Sequence, residues 1–98
     1  MLHKAKGPSE YFIEELKKAV RVKSREADSE IIELAKAAEM DLMIAGVVSK
    51  GEDDPLSHQA IKLYCKANYG YDEKTERFQQ AYQSLKNSMA LSGEYEGD

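Results

Sequence analysis

The chain has 98 residues, 42% of them apolar and 33% charged, which is typical of a single globular domain. No apolar stretch approaches the roughly 18 residues of a membrane-spanning helix, and no signal-peptide pattern is present. The sequence therefore predicts neither membrane insertion nor secretion. The single cysteine, Cys65, excludes an internal disulfide and indicates a reducing, cytosolic compartment.

The net charge of −4 conceals an asymmetry along the chain. Residues 1–25 have seven basic and three acidic side chains, a net charge of +4, whereas the remaining residues have a net charge of −8. Such a molecule could associate head to tail with copies of itself, or place its basic end on a phosphate backbone. Charges that are simply exposed to solvent account for the pattern equally well.

The first half of the chain predicts a flexible arm followed by two helices. Residues 1–8 lack periodicity and end in Gly7-Pro8, so they predict the arm. Helix one is predicted over about 9–21, with Ser9 as its N-cap. Helix two is predicted over about 27–45, capped by either Ser24 or Asp28 and ended by Gly46. The apolar faces of these two helices consist of Phe12, Leu16 and Ala19, and of Ile31, Ala35, Ala38, Leu42 and Ala45.

Helix three, over about 55–69, has the most complete end signals. Asp54 can cap it, Pro55 suits its first position, and Gly70 can end it. Its apolar row consists of Leu56, Ala60, Leu63 and Ala67, widened by Ile61 and Tyr64, and its polar ridge consists of His58, Gln59, Lys62 and Lys66. A helix that is apolar over more than half its circumference must be covered on several sides. We therefore expect helix three at the centre of the domain.

Helix four is predicted over about 73–92 and completes the fold. The short link Gly70-Tyr71-Asp72 should pack helices three and four as a hairpin. The apolar face of helix four consists of Phe78, Ala81, Tyr82, Leu85 and Met89, and Gly93 ends the helix. Residues 94–98 predict a disordered acidic tail. The predicted fold is all-α: one helical domain over 9–93, with four helices packed around the third.

The sequence offers no catalytic or metal-binding constellation. Cys65 and His58 are seven positions apart on one helix, too far for the direct contact that an activated thiol needs. The acidic run Glu52-Asp53-Asp54 lacks the spacing of a calcium loop and fits helix capping. We therefore expect no enzymatic activity and no cofactor, with Cys65 as a packing residue.

Two sets of residues are candidates for contact with partners. The first is basic and consists of Lys17, Lys18, Arg21, Lys23 and Arg25, which could face an acidic neighbour or DNA. Sequence-specific DNA binding is disfavoured because helix two is acidic where a recognition helix would be basic. The second set consists of Met40 and Ile44, opposite the apolar stripe of helix two, and of Tyr69 and Tyr71. Scattered surface apolar residues explain Met40 and Ile44 as well, and core aromatic rings whose hydroxyls reach solvent explain the tyrosines.

Several segments resemble the head–tail connector family of long-tailed phages, also described as head-completion or DNA-packaging adaptor proteins. They are Glu14-Glu15-Leu16-Lys17-Lys18-Ala19-Val20-Arg21-Val22, Asp54-Pro55-Leu56, Ala60-Ile61-Lys62-Leu63-Tyr64, Lys66-Ala67-Asn68-Tyr69-Gly70-Tyr71, Phe78-Gln79-Gln80-Ala81-Tyr82-Gln83-Ser84-Leu85-Lys86 and Ala90-Leu91-Ser92-Gly93. The resemblance covers about residues 10–95. The shared motifs are structural and include no catalytic signature.

The resemblance implies a structural protein of a phage or prophage, made in the bacterial host cytoplasm and located at the head–tail junction of the virion. Its protomers would form a ring, typically a dodecamer in this family, on the portal protein. That ring would extend the DNA channel, help to retain packaged DNA by non-specific contact, and dock the next connector or tail protein. The alternative is a small helical regulatory or nucleic-acid-binding domain of phage or prophage origin.

Overall fold

The computed structural model describes residues 8–69 and 75–96. It contains four helices: α1 (Glu10–Ala19), α2 (Asp28–Ile44), α3 (Pro55–Asn68) and α4 (Thr75–Ser92). A short 3₁₀ turn, Arg25–Ala27, precedes α2, and the described ranges contain no strand. The all-α prediction is therefore confirmed. The predicted roles of Gly70, Tyr71, Asp72 and Glu73 fall in the link outside the described residues.

Side-chain caps explain where three of these elements begin. The Ser9 hydroxyl accepts a hydrogen bond from the Phe12 amide at 3.1 Å, and the Asp54 carboxylate accepts one from the Ser57 amide at 3.0 Å. The Ser24 hydroxyl caps the 3₁₀ turn by accepting from the Glu26 amide at 3.0 Å. Neither of the two caps considered for helix two therefore caps α2 itself, which continues directly from the turn.

Helix α3 lies at the centre of the domain, as predicted, and contacts α4 and α2 most extensively. The Tyr64 ring meets Tyr82 edge-on at 5.3 Å between centroids, and Lys66 lies over the Phe78 ring at 4.5 Å. Contacts between residues in this reversed order show that α3 and α4 are antiparallel. Helix α1 packs across α2 and α3 on the opposite side.

The core consists of two clusters that share α2 and α3. Cluster one joins α1, α2 and α3 and contains Phe12, Leu16, Ile31, Ala35, Ala38, Ile61 and Cys65. Cluster two joins α2, α3 and α4 and contains Leu42, Val47, Ala60, Tyr82, Met89 and Tyr95. Tyr64 is half-buried and packs against both clusters. The central helix therefore separates two half-cores.

The buried face of α3 differs from the predicted row. Leu56 is 46% exposed, whereas the fully buried positions are Ser57, Ala60, Ile61 and Cys65. At 100° per residue, this face is rotated by roughly 100° from the predicted one. The reason is that α1 covers the side near His58, whose ring packs on Phe12 at 4.7 Å between centroids. Helix α4 shows a smaller difference, since Ala81 is exposed.

The tail after Gly93 is ordered in the part that the structure describes, contrary to the expected disorder. Tyr95 is buried in cluster two, and its hydroxyl donates to the Asp54 carboxylate at 2.7 Å. Its carbonyl accepts from the Val48 amide at 2.7 Å. The hydrogen bond to Tyr95 lowers the pKa of Asp54 and raises that of Tyr95 to about 12. Residues 94–96 therefore fasten the end of α4 to the start of α3.

Candidate functional site

The antiparallel packing of α2 against α1 and α3 gives the domain two distinct ends. One end contains the α1–α2 connection and the last turn of α3. The other end contains the last turn of α2, the α2–α3 loop and the tail. Each candidate surface can therefore be assigned to one of these two ends.

The α1–α2 connection exposes four cations, which we call the basic surface: Lys18, Arg21, Lys23 and Arg25. Helix α1 ends earlier than the predicted 21 because Arg21 adopts a left-handed conformation, φ 62°. The Arg21 amide donates to the Lys18 carbonyl, and the Val22 amide donates to the Lys17 carbonyl. This is a Schellman ending, in which glycine usually occupies the position of Arg21. The ending turns the connection and directs it toward α2.

Lys17 does not belong to the basic surface, which corrects the sequence-based assignment. Its side chain is buried, with the ammonium nitrogen 2.7 Å from Asp28 Oδ1 and 3.6 Å from Glu14 Oε2. The hydrogen bond to Asp28 raises the pKa of Lys17. The pair joins α1 to the start of α2, so this charge is paired within the fold and is not available to a partner. In the sequence, the position of Lys17 beside the apolar face of helix one was the feature that could have indicated its burial.

A second surface lies on α2, at the other end of the domain. Met40, Met43 and Ile44 form this apolar patch, with Ile44 82% exposed. Met40 and Ile44 lie about 180° and 220° around the helix from Ile31, and so point away from the core. Met43 was missed by the sequence reasoning, although its spacing from Met40 places both on one side of the helix. Helix α2 is therefore apolar on both sides near its C-terminal end.

The tyrosines proposed with this patch are not beside it. Tyr69 follows the last turn of α3, at the end that contains the basic surface, and it packs partly against cluster one. Tyr71 lies outside the described residues. The four residues Met40, Ile44, Tyr69 and Tyr71 are therefore not one continuous surface in the described part of the chain.

The interior offers structural rather than reactive groups. Burial raises the pKa of the Cys65 thiol to about 12, which disfavours the thiolate that a nucleophile requires. Within residues 8–69 and 75–96, no group of three or more His, Cys, Asp and Glu side chains is placed to hold a metal ion. Over the same residues, each helix is too short or too polar to cross a bilayer.

A polar network joins α2 to α4 beside cluster two. The Asp41 carboxylate accepts from the Tyr82 hydroxyl at 2.6 Å and from the Lys86 ammonium at 2.9 Å. The hydrogen bond from Tyr82, followed by that from Lys86, lowers the pKa of Asp41. Burial and the same bond raise the pKa of Tyr82. The network satisfies a buried hydroxyl and is part of the scaffold.

The family model described as phage connector protein matches residues 12–96. The chain belongs to the phage connector protein family. The comparison with curated proteins gives no significant match, and the comparison with solved structures gives none either.

Proposed function

We propose that the protein is a structural, non-enzymatic component of the virion that forms a ring below the portal. The ring extends the DNA channel, helps to retain packaged DNA, and docks the next connector or tail protein. Membership of the phage connector family over residues 12–96 is the observation that carries this proposal. The partners are other copies of the chain, the portal protein and the next connector or tail protein, at the head–tail junction.

The arrangement of the two surfaces supports ring assembly. A closed ring of identical subunits requires a heterologous interface, in which two different patches of each subunit meet. The basic surface lies at one end of α2, where it can meet acidic groups of one neighbour, and the apolar patch at the other end is free to contact a different partner. The excess negative charge beyond residue 25 provides acidic groups that the basic surface can meet.

Charge reversal of the basic surface tests its part in assembly. The double variant Lys23→Glu, Arg25→Glu should weaken ring formation or DNA retention, because both side chains are exposed at the α1–α2 connection. Native mass spectrometry of assemblies on the portal, together with phage yield, measures the effect. The control Lys36→Glu, Arg77→Glu makes the same change of charge at exposed positions elsewhere. Unchanged assembly and yield in the first variant would exclude the basic surface.

The exposed basic surface also favours a second function, direct nucleic-acid binding by a small regulatory domain. In that case, the isolated chain should shift duplex DNA at physiological ionic strength, with an affinity that falls steeply as salt increases. A connector that touches DNA only as a ring should show no such shift as a monomer. An electrophoretic mobility assay over a salt series separates the two functions.

A further inference from the structure

The end of the domain opposite the basic surface presents charges of the opposite sign. It contains three exposed carboxylates, which we call the acidic tip: Asp53, Glu94 and Glu96. The first is on the α2–α3 loop and the other two are on the tail. The Val48 amide joins the loop to the tail by donating to the Tyr95 carbonyl at 2.7 Å. The Tyr95 hydroxyl donates to Asp54, again at 2.7 Å. These bonds bring the three carboxylates to one surface.

The chain does not neutralise the acidic tip with its own cations. Within residues 8–69 and 75–96, no lysine or arginine forms an ion pair with a residue of the tip. Lys50, three residues before Asp53, lies over the Tyr95 ring at 4.7 Å. The neighbouring Glu52 accepts hydrogen bonds from Ser9 and adds its negative charge to the same end. This end of the domain therefore has an excess of negative charge.

The basic surface has a matching excess of positive charge. Among the described residues, only Lys18 of its four cations is in an ion pair, with Glu15 at 3.9 Å on the same helix. Glu26 is the one acidic residue between positions 20 and 27. The cations of the α1–α2 connection are therefore available to carboxylates of another molecule.

The two charged surfaces cannot meet within one subunit. Helix α2 has 17 residues and runs from one end of the domain to the other, a length of about 25 Å. Exposed charges are largely screened beyond about 8 Å at physiological ionic strength. Two opposite surfaces that are separated in one molecule are complementary between two copies of it.

We propose that the acidic tip of one copy binds the basic surface of the next copy. Each subunit then uses its tip on one neighbour and its basic surface on the other, which is a heterologous contact of the kind that closes a ring. This inference rests on the proposed ring function and identifies the carboxylates that the basic surface meets. Because the contact joins exposed charges, it should weaken as salt increases.

Charge reversal at the acidic tip tests the contact from its other side. The variant Glu94→Lys, Glu96→Lys should raise the concentration needed for assembly on the portal at least roughly tenfold, because its tip repels the basic surface. Native mass spectrometry measures assembly, and circular dichroism checks folding. The control Glu33→Lys, Glu76→Lys makes the same change of charge at exposed positions away from the tip. It should assemble within about threefold of the wild type.

A charge swap distinguishes direct pairing of the two surfaces from separate effects of each. The chain with Lys23→Glu, Arg25→Glu, Glu94→Lys and Glu96→Lys exchanges the two signs and keeps the wild-type net charge. It should assemble at least roughly tenfold better than either double variant. An equimolar mixture of the two double variants should recover in the same way, because the basic tip of one fits the acidic connection of the other.

The remaining outcomes overturn the inference. If the tip variant assembles like the wild type, the tip is not part of the contact. If both double variants are defective but neither the swapped chain nor the mixture recovers, the two surfaces do not bind each other. DNA as the occupant of the basic surface predicts this second pattern or the first, since reversing the tip does not restore a phosphate contact.

Light scattering of the wild-type chain, alone and with portal protein, tests the proposed function separately. A ring whose assembly does not respond to the charge swap leaves that function intact and rejects the contact. Recovery by the charge swap in a protein that forms only closed dimers supports the contact and rejects the ring. A chain that stays monomeric even with portal protein rejects both.

Discussion

Arg21 occupies a backbone conformation that usually belongs to glycine. Its φ of 62° lies in the left-handed region, where a side chain beyond glycine costs roughly 1–2 kcal/mol. The two hydrogen bonds of the Schellman ending hold it there. By contrast, α2 ends in the same motif with Gly46 at φ 88°, and the following Val47 packs with Leu42 in cluster two. The chain therefore places a residue with a full side chain where glycine would be less strained.

Replacement of Arg21 by glycine should stabilise the isolated domain. Arg21→Gly should raise the free energy of unfolding by about 1 kcal/mol, because it relieves the left-handed strain. Urea denaturation monitored by circular dichroism measures this change. Arg21→Ala is the matched control, since it removes the same charge and keeps the strain. A gain of equal size in both variants would attribute the effect to charge rather than to backbone conformation.

The lowered pKa of Asp41 predicts how the stability of the domain depends on pH. Its folded-state pKa is lowered, chiefly by the hydrogen bond from Tyr82, so the carboxylate stabilises the fold above its unfolded pKa of about 3.9. This contribution is lost as the pH falls through the lower, folded-state pKa. Asp41→Asn should therefore be less stable than wild type at pH ~7, and the gap should narrow toward pH ~2.

Urea midpoints at the two pH values measure that gap. Glu33→Gln, on the exposed side of α2, provides the control. Its free energy of unfolding should differ from that of the wild type by no more than about 0.5 kcal/mol at both pH values. If the difference in stability between the wild type and Asp41→Asn is the same at both pH values, the network does not depend on the charge of the carboxylate.

Some properties of helix α3 could be predicted from the sequence, and others could not. Asp54, Pro55 and the local apolar content sufficed to predict a helix and its central position, because caps and hydrophobicity are local properties. The orientation of that helix was predicted only in part: Ala60 and Ile61 are buried as expected, but Leu56 is nearly half exposed, because α1 packs near His58 and covers a different side. Two side chains that make tertiary contacts were also misplaced: Lys17 was assigned to a partner surface and Tyr95 to a disordered tail. Their partners, Asp54 and Asp28, lie on other elements, and the pairing depends on how those elements pack.

A matched pair of substitutions tests the orientation of α3. Ile61→Ala should cost roughly 2–5 kcal/mol, because Ile61 is fully buried in cluster one. Leu56→Ala should cost well under ~1 kcal/mol, because nearly half of Leu56 is exposed. Thermal and urea denaturation of both variants give the comparison. A larger loss from Leu56→Ala would favour the orientation predicted from sequence.

A substitution in the apolar patch on α2 should weaken assembly of the whole molecule and leave its stability unchanged. Ile44→Lys should change the free energy of unfolding by no more than about 0.5 kcal/mol, because Ile44 is 82% exposed. The same variant should reduce assembly on the portal if the patch is an interface. Leu91→Lys is the control, since Leu91 is comparably exposed on α4 but lies outside the patch. If the two variants assemble equally well, the apolar patch is not part of the interface.

The division of the core into two clusters has a consequence for the native-state fluctuations of the domain. Helix α1 contributes only to cluster one and α4 only to cluster two, whereas α2 and α3 contribute to both. Opening of an outer helix exposes one cluster and leaves the other packed, but opening of α3 exposes both. In amide hydrogen exchange, α3 should therefore be protected at close to the global free energy of unfolding, and α1 should exchange earlier through partial opening. A subunit with this hierarchy can shift α1 while the rest of the domain remains folded.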